Sequence, residues 1–182
     1  QLLTYTLPNH VVKTVITRDQ LTPYGKSEPL KVDHFSFSSD QQKVLLFTNT
    51  RKVWRLNTKG DYWVFNLKTN TLRQIGKSLM PSSLMFAKFS PDGKSIAYVS
   101  ENNLYVEEDA SGTIKPLTSN GTITLINGTF DWAYEEEFAC RDGFRWSPDS
   151  KSIAYWQIDA SEIKKFYMVN NTAAIYSQLV PL

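Results

Sequence analysis

Apolar residues recur along this chain in short runs separated by polar turns, and nowhere with the 3.6-residue period of an amphipathic helix array. Three segments share one template: residues 35–40 (Phe-Ser-Phe-Ser-Ser-Asp), 86–92 (Phe-Ala-Lys-Phe-Ser-Pro-Asp) and 144–149 (Phe-Arg-Trp-Ser-Pro-Asp). The last two lead into almost the same hexapeptide, Gly-Lys-Ser-Ile-Ala-Tyr at 93–98 and Ser-Lys-Ser-Ile-Ala-Tyr at 150–155. The first leads, one residue later, into Lys-Val-Leu-Leu-Phe at 43–47. Equivalent positions Phe37, Phe89 and Trp146 lie 52 and 57 residues apart. Spacings of this order mark an array of supersecondary units, each burying its faces against its neighbours.

Ser-Pro-Asp-Gly puts proline and small polar residues where a tight turn needs them, so each template joins two antiparallel strands. A second strand pair follows each: 62–67 with 71–75, 104–106 with 114–117, and 165–169 with 174–176, turning at 68–70, 109–112 and 170–171. Four antiparallel strands per repeat is the blade of a β-propeller. Residues 7–15 match 67–75 in character, which makes 1–20 the outer two strands of a preceding blade. The predicted fold is all-β: about three and a half blades (1–20, 33–76, 86–118 and 143–182) with an acidic insertion at 119–142. Closed propellers usually have about four to eight blades, so the pattern predicts part of a larger propeller whose open edges something must cover.

Composition narrows the function classes. A net charge of +2, with both signs dispersed, gives no electrostatic case for nucleic acid. No apolar run approaches the roughly 20 residues of a membrane-spanning helix, and the chain opens at Gln1 on no signal-like stretch. Cys140 is the single cysteine, which excludes a disulfide framework and a cysteine metal cluster. Only His10 and His34 could serve as a base, and no Gly-x-Ser-x-Gly elbow occurs, so these residues are expected to hydrolyse nothing by themselves. Gly-Lys-Ser at 25, 76 and 93 lacks the glycine five residues upstream that a phosphate loop requires. Metal-ligand spacing is missing and no cofactor is predicted. Asn120, Asn127 and Asn170 fit the glycosylation acceptor pattern.

What stands out is Asp-Trp-Ala-Tyr-Glu-Glu-Glu-Phe at 131–138, three carboxylates among bulky aromatics. One reading is a helical turn whose acids face water. The other is a recognition site for a cation, most simply a substrate ammonium. Strand parity bears on the choice. In an up-down-up-down blade, the second-to-third connection (49–60) and the blade-to-blade connection (118–142) leave by the same end. Trp54 and Arg55 are therefore predicted to approach Glu135, Glu136 and Glu137, if only as a surface salt bridge.

Asp-Trp-x-Tyr-Glu-Glu-Glu, followed by an aromatic-Trp-Ser-Pro segment and preceded by a Trp-Arg pair, resembles the N-terminal propeller of dipeptidyl peptidase IV enzymes in the prolyl oligopeptidase clan. The likeness spans residues 33–176, with Ala133 where Val is common. It implies a serine exopeptidase releasing N-terminal X-Pro or X-Ala dipeptides from outside the cytoplasm. Glu136 and Glu137 would hold the substrate's free amine and Arg55 a backbone carbonyl. The catalytic residues would belong to a C-terminal α/β-hydrolase domain absent from these residues. Peptides with a free N-terminus, that hydrolase domain and a second copy of the protein are the implied partners. Trp132, Tyr134 and Phe138 are expected to hold the turn by packing beneath it and Trp54 to support the site, with Glu135 facing away and its glutamine variant nearly silent. The competing reading is a non-catalytic propeller module that binds a protein partner on the same face.

Overall fold

The computed structural model describes residues 1–181. Its first element is a hairpin of β1 (Leu2–Thr6) and β2 (Val11–Ile16), followed by a 3₁₀ turn at Asp19–Leu21. Next come β3 (Val32–Phe37), β4 (Lys43–Val53), β5 (Leu56–Asn66) and β6 (Thr71–Gln74), paired antiparallel in chain order. β7 (Leu84–Phe89), β8 (Ser95–Ser100), β9 (Asn103–Glu108) and β10 (Ile114–Pro116) repeat that meander. The two four-stranded blades join where Lys59 and Gly60 of β5 pair with Met85 and Leu84 of β7. No sheet closes on itself among the described residues, and the fold is a partial β-propeller.

The repeated template closes each turn in one way. Ser38, Ser90 and Ser147 donate through Oγ to Asp40, Asp92 and Asp149, each at 2.6 Å. The same hydroxyls accept the backbone N–H of Lys43, Ser95 and Ser152 at 3.0, 3.0 and 2.9 Å. These serine hydroxyls, and then backbone N–H groups, hold the three carboxyls below the usual aspartate range. A side chain that caps its own turn is the physical reason the repeat recurs.

Each blade buries both faces, which follows from the alternation of side chains along a strand. On β4, Leu45 and Phe47 enter one cluster with Tyr62, Val64, Ile75, Leu84, Ile96 and Tyr98, between the two blades. Val44 and Leu46 point the other way, to Ile16, Leu21 and Phe65. On β8, Ala97 and Val99 face Met85, Leu104 and Phe144, towards the third unit. A buried polar staple crosses between the blades. Glu107 on β9, 2% exposed, takes hydrogen bonds from Arg73 on β6, from Gly76 N at 2.8 Å and from the Tyr98 hydroxyl at 3.0 Å. Asp109 binds Arg73 Nη2 at 3.0 Å and Lys43 Nζ at 2.6 Å. Burial first, and then the charge of Glu107, push the Tyr98 hydroxyl well above its ordinary range.

The third unit departs from the expected four-stranded blade. β12 (Phe144–Trp146) pairs with β13 (Ile153–Tyr155), but β14 (Gln157–Asp159) pairs with β11 (Leu125–Asn127) of the acidic insertion. The final hairpin is β15 (Tyr167–Asn170) with β16 (Gln178–Pro181), so the return strand starts beyond the expected 174–176, which lie in bends. These strands are exposed along most of their length, and a strand with neither face buried has a weakly specified register.

Residues 49–60, expected as an insertion between the second and third strands, are the upper half of one β4–β5 arm. Gly60 lets that arm lean onto β7. A Cβ there would sit 2.5 Å from the Phe47 ring and 2.6 Å from the Thr48 carbonyl oxygen. Gly60→Ala is expected to cost about 1–3 kcal/mol through overpacking against backbone that cannot yield. Denaturant melts of the purified chain would show this as a lower midpoint, and an unchanged midpoint would mean that the arm relaxes freely.

Candidate functional site

The acidic motif forms the one α-helix among the described residues, α1 (Trp132–Phe138). Asp131 starts it with extended backbone, its Oδ1 accepting from Tyr134 N at 3.0 Å, a standard N-cap. Ala139 ends it in the left-handed region at φ 53°, and Cys140 N returns to Tyr134 O at 3.1 Å. Seven residues make too short a helix to stand alone in water, so tertiary contacts must hold it. Lys88 supplies one. Its Nζ lies 2.6 Å from both oxygens of Asp142, 3.0 Å from Phe144 O and 3.8 Å from the Phe144 ring centre, fixing the chain just past the helix to β7. Burial lowers the Lys88 amine from its ordinary value, and the Asp142 carboxylate works against that shift.

Trp54 and Arg55 are the two turn residues of the β4–β5 arm, since Val53 pairs with Leu56, and Trp54 takes φ 50° to close the turn. Asn49, Asp61 and Ser82 brace the lower arm. Asn49 Nδ2 donates to Asp61 at 2.8 Å and to Ser82 Oγ at 2.6 Å, and Ser82 N donates to Asp61 at 2.7 Å. So held, the arm brings Arg55 Nε onto Glu136 Oε1, an ion pair spanning 81 residues of sequence. The arm tip and the acidic helix therefore share one face. The Glu136 side chain is 23% exposed and that of Arg55 76%. Glu137 is exposed beside them.

Two expectations need correction. Glu135 does face away from Arg55, but it is not solvated: it is 7% exposed and the sole buried residue of the helix. Its Oε1 lies 3.7 Å from Arg141 Nε, and neither atom has a hydrogen-bond partner. A silent glutamine variant is no longer expected, because charge at that position is matched inside the protein. The aromatics also do less than expected. Trp132 and Phe138 are 57% and 69% exposed, and Trp54 is exposed at the arm tip. Tyr134 is 39% exposed and touches two neighbouring rings, with centroids 5.4 Å from Phe130 and 5.7 Å from Phe138. A two-turn helix docks along one narrow stripe, and Glu135 occupies it.

Sequence reasoning missed Arg141, the Lys88–Asp142 tether and Phe130. Arg141 reaches back to Glu135 only because Ala139 is left-handed, a conformation that alanine does not announce. The site itself is an open surface. A neighbouring cleft of about 460 Å³ is lined by Asp142, Gly143, Phe144, Arg145, Ala154, Tyr155 and Trp156, and not by Arg55, Glu136 or Glu137. Among the described residues no group of three His, Cys, Asp or Glu is placed to hold a metal, and no helix is long and apolar enough to cross a membrane.

The model of the family described as "Dipeptidyl peptidase IV (DPP IV) N-terminal region" matches residues 38–180. Dipeptidyl aminopeptidase B of Saccharomyces cerevisiae is 31% identical over 189 residues, covering 97% of this chain and 22% of that protein. The crystal structure of Porphyromonas gingivalis dipeptidyl peptidase 4 superposes with a TM-score of 0.81 at 23% identity, over 97% of this chain and 25% of that one, a likeness of fold. The chain spans about a fifth of the length of the curated relatives it matches. With the family model covering most of its residues, the chain belongs to the dipeptidyl peptidase IV N-terminal region family.

Proposed function

We propose that this chain is the substrate-anchoring part of an extracytoplasmic serine-type dipeptidyl peptidase, with Glu136 and Glu137 binding the free N-terminal amine of a peptide and Arg55 a backbone carbonyl. The observation that carries the reading is the meeting of Arg55 with Glu136, beside an exposed Glu137. An enzyme that counts two residues from a chain end must detect that end, and an ammonium distinguishes it. One carboxylate about 4 Å away contributes about 4 kcal/mol at an effective dielectric near 20, before desolvation. A second carboxylate shares the ammonium's donors, and the bound cation offsets the repulsion between the two. Fixing the amine fixes how far the peptide reaches, so distance selects the scissile bond.

In the free site Arg55 occupies Glu136. An ion pair with so exposed a guanidinium is worth about 0–1 kcal/mol, so an arriving ammonium displaces it at little cost. The released guanidinium carries five donors for a carbonyl oxygen. The serine, histidine and aspartate of catalysis belong in this proposal to an α/β-hydrolase region outside these residues, which would also wall in the open site. The test is hydrolysis of Gly-Pro 4-nitroanilide and its N-acetyl form by the full-length protein. The free amine is expected to be favoured by about two orders of magnitude or more, with kcat/KM falling as pH rises through an amine pKa of about 7.8. Equal rates on the two substrates would end the anchoring proposal.

A further inference from the structure

We infer that Glu135 and Arg141 form a positioning pair, in which Glu135 sequesters a guanidinium that would otherwise compete with the substrate ammonium for Glu136 and Glu137. The inference rests on the ammonium-anchor reading above and gives it a requirement of its own.

Three adjacent carboxylates make a crowded site, and two arginines reach it. Arg55 comes from the arm tip and has a role once released. Arg141 is local: it lies four residues past Glu137, after a left-handed residue that folds the chain back. An arginine so placed is a strong intramolecular ligand for a carboxylate, because it is present at high effective concentration. Left loose, it would fill the ammonium's place. The structure instead has it turned to the buried side of the helix, 3.7 Å from Glu135.

The geometry of the pair is not what stability alone would produce. A buried ion pair offsets its desolvation only with close contact and satisfied hydrogen bonds. Here the facing oxygen and nitrogen are both buried and both without a hydrogen-bond partner. Such a pair adds little to folding, but Glu135 is buried and would be costly to leave without a counter-charge, and that cost holds the guanidinium in place. The pair also sets the local charge. Glu135 with Arg141 is neutral, so Glu136 and Glu137 carry two negative charges against the one positive charge of Arg55, a net of one negative charge for the arriving ammonium. The helix contributes geometry. Neighbouring residues point about 100° apart, so turning Glu135 inward presents Glu136 and Glu137 outward together.

The experiment uses the full-length protein and Gly-Pro 4-nitroanilide. Glu135→Gln keeps the shape and removes the charge, which frees Arg141. KM is expected to rise about tenfold or more while kcat changes less than about threefold, the signature of lost ground-state binding. Adding Arg141→Met removes the competitor, so the double variant should return KM to within about threefold of the unaltered protein. A merely structural pair would lower the active fraction without that split or that recovery. If the buried amide prevents folding, Glu135→Met replaces it. Arg141 keeps 34% exposure and can swing out towards Glu136 and Glu137, so no charge is stranded. An unchanged KM in the single variant, or a double variant as weak as the single, overturns the inference and leaves the anchor reading standing. Glu136→Gln and Glu137→Gln are measured alongside. If neither changes KM or kcat/KM, the anchor reading itself fails and the inference falls with it.

Discussion

Glu136→Gln and Glu137→Gln are each expected to lower kcat/KM of the full-length protein on a free-amine substrate by about two orders of magnitude or more. Glutamine keeps the size and removes the charge, so the loss isolates the carboxylate's interaction with the ammonium. Two orders of magnitude correspond to about 2.7 kcal/mol of transition-state binding. The figure is below the roughly 4 kcal/mol that one charge pair contributes at an intermediate dielectric, which leaves room for the carboxylate that remains. Glu137 is exposed, and Glu136 loses only an ion pair to a largely exposed guanidinium, so melting temperatures should move little. That separates this result from a folding defect. Steady-state kinetics on the paired free and acetylated anilides checks it, and variants that keep the full preference for the free amine would return the acids to a solvated turn.

A second large effect is structural. Glu107→Ala strips the acceptor from Arg73, from the buried Tyr98 hydroxyl and from Gly76 N–H together. Removing one partner of a buried, hydrogen-bonded charge cluster costs about 3–5 kcal/mol, a large share of the roughly 5–15 kcal/mol that holds a typical domain. Asp109 remains on Arg73 and softens the loss. The measurement is equilibrium denaturation of the variant beside the parent. A shift below about 1 kcal/mol would mean that Arg73 and Tyr98 find other partners and that the two blades do not depend on this staple.

What the sequence made legible follows from what each element asks of its residues. The blade turns were readable because Ser38, Ser90 and Ser147 must each be followed two residues later by the aspartate they bind. The two-faced burial of β4 was readable as an unbroken apolar run at 44–47. The β4–β5 arm was hidden, because a strand standing clear of the core alternates with nothing and resembles a loop in composition. The last hairpin slipped for the same reason. The approach of Arg55 to the acidic helix was legible from connection parity alone, without any sign of which glutamate it would meet. It meets Glu136. The burial of Glu135 was not legible at all, because three identical residues in a row give no clue which one turns inward.

The most direct measurement is a crystal structure of the full-length protein with a peptide carrying a free N-terminus and proline second, read at the peptide nitrogen. That nitrogen is expected within about 3.2 Å of both the Glu136 and Glu137 carboxylates, with Arg55 moved off Glu136 onto a peptide carbonyl. A bound peptide whose nitrogen lies elsewhere, with Arg55 still on Glu136, would contradict it.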